Sequence, residues 1–279
     1  MTMAITLRPN MKTEDKVRIA NELFKPLLKK AEVRLDARIK KITKTCRFPF
    51  FFTQEIETSE HGKWIVILTI PEKPSRKKGY RVMFDAFQPY IIDYAKNLEN
   101  NGIGFFMITA SDTCVRIDEW TPHLINRMIQ RSDAPFIDMT IKEICLYLRK
   151  LIHDTLMNIK QVKHNVRGED FNEFVQSVPG GQFLGLMSEN EDYRCCKTYI
   201  SENEMKDSQF VLNEILRQIT LRNDKHTSGT FDVNMNIIIP KLQEKYGETT
   251  FNDIATLLKG TDKSVWNSNN IKKIASEIS

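Results

Sequence analysis

Several features of membrane and secreted proteins are missing from this sequence. Its apolar runs all fall short of the roughly 20 residues that a membrane-spanning helix needs. The N-terminus has no basic segment followed by an apolar one, so we expect no secretory signal peptide. The 5 cysteines are odd in number and lack the spacing of a zinc site. We therefore expect a cytoplasmic protein with reduced thiols and no membrane association.

The motifs of common nucleotide-dependent and metal-dependent enzymes are missing as well. The chain contains no G-x-x-x-x-G-K-[ST], no G-x-G-x-x-G, no H-E-x-x-H and no G-x-S-x-G. Its aspartates and glutamates are not clustered along the sequence in the way that a metal-dependent nuclease requires. We therefore expect neither a cofactor nor a metal.

Positive charge is concentrated at the N-terminal end. Residues 1–45 hold 12 Lys or Arg against 5 Asp or Glu, although the whole chain has a net charge of only +5. A basic segment favours RNA, another nucleic acid or a different acidic partner. The alternative is a helix whose basic face is simply solvated. The candidate nucleic-acid contacts are Lys29, Lys30 and Arg34 in this segment, and Arg76, Lys77 and Lys78 in a predicted loop.

The apolar periodicity predicts an α+β protein, with an antiparallel sheet flanked by helices. Helices are predicted over 13–44 (with a break or kink at Pro26), 89–100, 122–131, 141–160 and 201–221. Strands are predicted over 48–56, 63–70, 80–87, 103–110, 114–117, 171–178, 182–187 and 193–200, and a polar loop over 161–170. The predicted divisions are a basic helical arm at 1–45, a core domain at 46–221 and a helical C-terminal tail at 222–279.

One predicted helix contains the clearest candidate site. Thr121 is suited to cap a helix that begins at Pro122, where a missing N–H costs nothing. His123, Arg127 and Arg131 follow at successive i,i+4 steps and therefore share one face. The helix N-terminus and the arginines disfavour a charged imidazole, so His123 can accept a proton, and the arginines can bind a phosphate. The competing interpretation is an ordinary solvated polar face.

The pattern Thr121-x-His123-x3-Arg127-Met128-x2-Arg131 resembles a motif of small bacterial domains. Those domains belong near the RelE-like, barnase-like and colicin-like ribonuclease toxins. In them a motif helix precedes a second helix and then an antiparallel sheet, which is the order predicted here over about residues 117–200. The late strand with Lys197-Thr198-Tyr199 is similar to their Thr/Tyr-containing strand.

The resemblance implies metal-independent cleavage of RNA, in which the ribose 2′-hydroxyl attacks the adjacent phosphorus. His123 would act as general base or acid, and Arg127 and Arg131 would stabilise the charge on the phosphate. Thr198 or Tyr199 would orient the substrate. Such a site requires the motif helix and the strand at 193–200 to face one cleft. The alternatives are a non-catalytic nucleic-acid-binding protein and a protein–protein scaffold without enzymatic activity.

Overall fold

The computed structural model describes residues 7–74, 80–92, 102–110, 115–131, 136–152, 155, 157–205, 209 and 213. Its helices are α1 (Thr13–Thr45), α2 (Pro122–Arg131) and α3 (Ile141–Leu151). Its strands are β1 (Phe50–Thr58), β2 (Gly62–Ile70), β3 (Met83–Ile92), β4 (Gly102–Ala110), β5 (Val115–Trp120), β6 (Met157–Val166), β7 (Glu169–Val178), β8 (Gly181–Ser188) and β9 (Tyr193–Ser201). The chain divides into two compact units: unit 1 is Met1–Lys150 with Leu186–Thr198, and unit 2 is Leu151–Gly185 with Tyr199–Ser279.

Hydrogen bonding orders the nine described strands as β1-β2-β3-β4-β5-β9-β8-β7-β6. Neighbours from β1 to β5 are antiparallel, and so are β6 and β7. β5 and β9 run parallel, with Ile117 opposite Tyr193 and Trp120 opposite Cys196. The predicted α+β class is therefore confirmed, but the sheet is large and mixed and not purely antiparallel.

α1 is one continuous helix of 33 residues. Helical spacing places Leu27, Ala31 and Leu35 on its fully buried face. Pro26 has no N–H to donate to the carbonyl of Glu22. Both Pro26 and Glu22 are exposed. Water can satisfy that carbonyl, and of the expected break or kink the break does not occur. Among the helices of the described residues, α1 included, none is long and apolar enough to cross a membrane.

Three other predicted elements differ from the structure. β3 extends through Ile92, so the predicted helix at 89–100 is wrong over 89–92, and residues 93–100 lie outside the described ones. The predicted helix at 141–160 ends at Leu151, and β6 occupies 157–160. The predicted loop at 161–170 is also wrong, because β6 and β7 form a hairpin there. Polar side chains bridge these two strands, as in the pair of His164 Nε2 with Glu173 Oε1 at 2.7 Å. Because such residues break the alternation of apolar and polar positions, the sequence pattern does not reveal the hairpin.

Reciprocal hydrogen bonds form two capping boxes, at the sequence patterns Thr140-x-x-Glu143 and Ser201-x-x-Glu204 that are typical of this motif. The N–H of Thr140 donates to Glu143 Oε2 at 2.8 Å, and the N–H of Glu143 donates to Thr140 Oγ1 at 3.3 Å, at the start of α3. Ser201 and Glu204 form the second box, around the short 3₁₀ turn Glu202–Glu204. The helix predicted over 201–221 is wrong over 201–205, where β9 ends and the 3₁₀ turn lies. Most of its remainder, and the whole tail at 222–279, lie outside the described residues.

Unit 1 has helices on both faces of its strands. Successive residues of a strand point to opposite faces. Phe84 contacts Phe24 of α1 with ring centroids 5.4 Å apart, whereas the next residue of β3, Asp85, pairs with Arg149 of α3. α1 and α3 therefore pack on opposite faces. The largest fully buried side chains of these strands are Trp64, Phe87, Phe105, Phe106 and Trp120.

Gly104 of β4 allows a close approach that no larger residue permits. A Cβ at this position would lie 2.6 Å from Tyr90 Oη and 2.8 Å from the backbone oxygen of Trp120 in β5. The Trp120 oxygen belongs to the paired strand and cannot rotate away. We expect Gly104→Ala to lower the free energy of unfolding by about 1–3 kcal/mol in urea denaturation, because β4 and β5 must separate. A loss below about 0.5 kcal/mol would contradict this packing.

Candidate functional site

α2 begins as the sequence predicts. The N–H of Leu124 donates to Thr121 Oγ1 at 3.2 Å, which identifies Thr121 as the cap. The apolar stripe is buried at Leu124, Ile125 and Met128. This burial fixes the rotation of the helix, so its other side is the accessible one.

The His/Arg face of α2 consists of His123, Arg127 and Arg131. All three side chains are half-buried, and their i,i+4 spacing places them along the same side of the helix. Arg127 Nη1 donates to Gln130 Oε1 at 3.4 Å. The three residues are therefore partly open to solvent, as residues that contact a substrate must be.

The start of α2 is attached to β9. Thr121 Oγ1 donates to the carbonyl oxygens of Cys196 and Lys197, at 3.2 and 3.1 Å. The backbone N–H of Thr121 also donates to the Cys196 oxygen at 3.2 Å. These bonds lie within unit 1 and hold the first turn of α2 beside this part of β9. These contacts are made by Thr121 and the backbone of β9, and not by the side chains of the His/Arg face.

The two predicted substrate-orienting residues of β9 have different environments. Thr198 is half-buried and lies in unit 1. Tyr199 lies in unit 2, is buried, and its hydroxyl donates to the Gly180 carbonyl at 2.7 Å. A Cβ on Gly181 would be 2.6 Å from Cζ of Tyr199, so the ring covers that glycine closely. The hydroxyl proton of Tyr199 already has an acceptor, and the ring stabilises the β7–β8 turn.

The predicted basic contacts of α1 are exposed, and two of them bond to β1. Lys29, Lys30 and Arg34 all lie at the surface. Lys30 Nζ donates to the carbonyl of Glu57 at 3.3 Å, and Arg34 Nη1 donates to the carbonyl of Glu55 at 3.2 Å. The other three predicted contacts, Arg76, Lys77 and Lys78, lie outside the described residues.

A buried ion pair between β5 and β9 was not predicted. Asp118 and Arg194 are opposite one another in the parallel register, and both are buried. Arg194 Nε donates to Asp118 Oδ1 at 2.6 Å, and a second bond joins Arg194 Nη2 to Oδ2. Burial by itself raises the pKa of the Asp118 carboxyl, but Arg194 and Arg116 together outweigh burial and hold that pKa below its usual value.

A second buried cluster joins α1 to β5 and β9. Lys16 is 3 % exposed, and its Nζ donates to Glu119 Oε2 at 2.7 Å and to Tyr193 Oη at 3.1 Å. The Tyr193 hydroxyl donates to the same carboxylate oxygen at 2.6 Å. Burial, with smaller contributions from Cys195 and Glu119, raises the pKa of Tyr193 well above its usual value. The cluster is closed to solvent and anchors α1.

A third buried pair joins α3 to the sheet. Asp85 pairs with Arg149 Nε, and Thr109 Oγ1 donates to Asp85 Oδ1 at 2.9 Å. Burial raises the pKa of Asp85 more than the neighbouring Arg149 lowers it. The pKa values of Asp85 and Asp118 are thus shifted in opposite directions.

Sequence reasoning missed these pairs, although one signal was visible. Each acidic residue of these pairs interrupts an apolar or aromatic strand: Asp85 follows Phe84, and Asp118 and Glu119 separate Ile117 from Trp120. A charge inside a buried strand needs a partner. Within the described ranges, no cluster of three or more His, Cys, Asp or Glu residues is arranged to hold a metal ion.

Comparison with known proteins adds no assignment: no protein-family model, no curated protein and no solved structure matches this chain.

The ion pair between Arg194 and Asp118 gives a direct stability test. We expect Arg194→Met to lower the free energy of unfolding by about 3–5 kcal/mol, because it leaves a buried carboxylate without its main partner. The matched control is Lys197→Met, since Lys197 is exposed on the same strand. Its effect should stay within about 0.5 kcal/mol. Equal losses for the two variants in urea denaturation would show that the pair has no special role.

Proposed function

We propose that the protein acts on RNA, and that the His/Arg face of α2 binds and cleaves a phosphodiester without a metal. The attachment of Thr121 to the Cys196 and Lys197 carbonyls supports this proposal most directly. It fixes the first turn of α2, which contains His123, beside the late strand. A catalytic base needs such a fixed position, whereas a solvated polar face does not.

The proposed reaction is an intramolecular transfer at phosphorus. His123 takes the proton of the ribose 2′-hydroxyl, the 2′-oxygen bonds to phosphorus, and the bond from phosphorus to the 5′-oxygen breaks. The leaving 5′-oxygen takes a proton from solvent. Arg127 and Arg131 bind the phosphate oxygens, whose negative charge grows in the transition state. Thr198 is available to contact the ribose or the phosphate, because it is only half-buried.

The first functional prediction concerns His123. His123→Ala should lower the rate of RNA cleavage by a factor of about 10²–10⁴, the usual contribution of a positioned base. The rate is measured with a labelled single-stranded RNA in the presence of EDTA, beside an RNA with 2′-deoxyribose at each cleaved position. We expect no cleavage of the deoxy substrate, since its nucleophile is missing. Cleavage that persists in His123→Ala, or that stops with EDTA, would contradict the proposal.

A second functional prediction separates phosphate binding from general positive charge. Arg127→Ala should reduce cleavage at least about tenfold, because a donor to the developing phosphate charge is lost. Lys142→Ala is the matched control, since Lys142 is exposed on α3 and its loss changes the net charge equally. The control should cleave at the wild-type rate. Salt-dependent RNA binding without cleavage in the wild type would instead identify a non-catalytic nucleic-acid-binding protein.

A further inference from the structure

A groove separates the middle of α1 from the edge strand β1, with a volume of about 920 Å³. We call it the α1–β1 groove. It lies entirely within unit 1 and does not include any residue of the His/Arg face. Nothing in the proposed cleavage of RNA uses it.

The charge of this groove is almost all of one sign. Its lining contains the basic residues Lys25, Lys29, Lys30 and Arg34, and Glu57 is the one acidic residue among the lining residues. Lys25 and Lys29 are exposed and one helical turn apart, so their ammonium groups lie along the same side. An occupant with several negative charges is complementary to this surface.

The groove also has an apolar part. Val33 is 66 % exposed, whereas Leu35, on the opposite face of the helix, is fully buried. Pro26 is exposed as well, and Ile56 contributes from β1. Covering this exposed valine with an apolar side chain is favourable, because it removes apolar surface from water. The occupant should therefore combine acidic groups with an apolar one.

Two of the basic residues limit the shape of the occupant. Lys30 and Arg34 donate to the Glu57 and Glu55 carbonyls of β1. In the strand order β1 is at the sheet edge, so these carbonyls would otherwise accept from an added strand. Because they are already occupied, an extended segment cannot pair there without displacing both side chains. A helix needs no backbone partner and can lie along the groove.

We propose that the α1–β1 groove docks an acidic amphipathic helix of a partner protein. Its apolar side chains cover Val33, and its carboxylates pair with Lys25 and Lys29. Single-stranded nucleic acid fits less well, because the lining residues include no aromatic ring on which a base can stack. This docking site shares no residue with the His/Arg face, so either proposal can be contradicted while the other stands.

The test uses the full chain and a synthetic helical peptide of about four turns. Glutamates form one face of this peptide and leucines the other. Fluorescence anisotropy should show binding that weakens as salt is raised, whereas a peptide with lysine in place of each glutamate should not bind. Lys29→Glu should weaken binding by about tenfold, and Val33→Ser by about fivefold.

The matched control is Lys40→Glu, which makes the same charge change at an exposed position of α1 outside the groove lining. It should weaken binding by less than about twofold. Circular dichroism confirms that each variant is folded. The proposal is overturned if the acidic peptide fails to bind or if Lys40→Glu weakens binding as much as Lys29→Glu. It is also overturned if a short single-stranded RNA binds more tightly than the peptide and loses that binding in Lys29→Glu.

Discussion

Two adjacent carboxylates of β5 hold the elements of unit 1 together. Asp118 and Glu119 point to opposite faces of the strand, so one pairs with Arg194 of β9 and the other with Lys16 of α1. All four side chains are buried. A buried charge without its partner is costly, so arrangements that separate these pairs are strongly disfavoured. The pairs therefore fix which strand lies beside β5 and where α1 packs.

The position of α2 depends on the same strand. β5 ends at Trp120, and Thr121 immediately caps α2 while donating to two carbonyls of β9. The parallel pairing of β5 with β9 brings those carbonyls to the start of the helix. The His/Arg face is thus positioned by the bonds of Thr121 to β9 and by the burial of the apolar stripe of α2. Its chemistry and its placement come from different sets of residues.

Local signals predicted the parts of this structure that depend on local interactions. The cap at Thr121 and the box of Thr140 with Glu143 are present, because a capping residue and its target are close in sequence. The pairs of Lys16 with Glu119 and Asp85 with Arg149 were not predictable by spacing, since 103 and 64 residues separate the partners. β7 was predicted over 171–178, but β6 was missed because its polar cross-strand pairs with β7 resemble a loop.

In the candidate site too, the sequence predicted the local features and not the contacts between distant residues. The sequence identified the shared face of His123, Arg127 and Arg131, which follows from helical geometry alone. The attachment of Thr121 to β9 required the tertiary structure. The burial of the Tyr199 hydroxyl against Gly180 did too, since a strand pattern cannot show which side chain is already hydrogen-bonded.

Mass spectrometry of the RNA ends tests the central claim most directly. Attack by the 2′-hydroxyl leaves a 2′,3′-cyclic phosphate on one fragment and a 5′-hydroxyl on the other. The account predicts these ends for wild-type protein in EDTA. Fragments with 3′-hydroxyl and 5′-phosphate ends, or intact RNA, would contradict it.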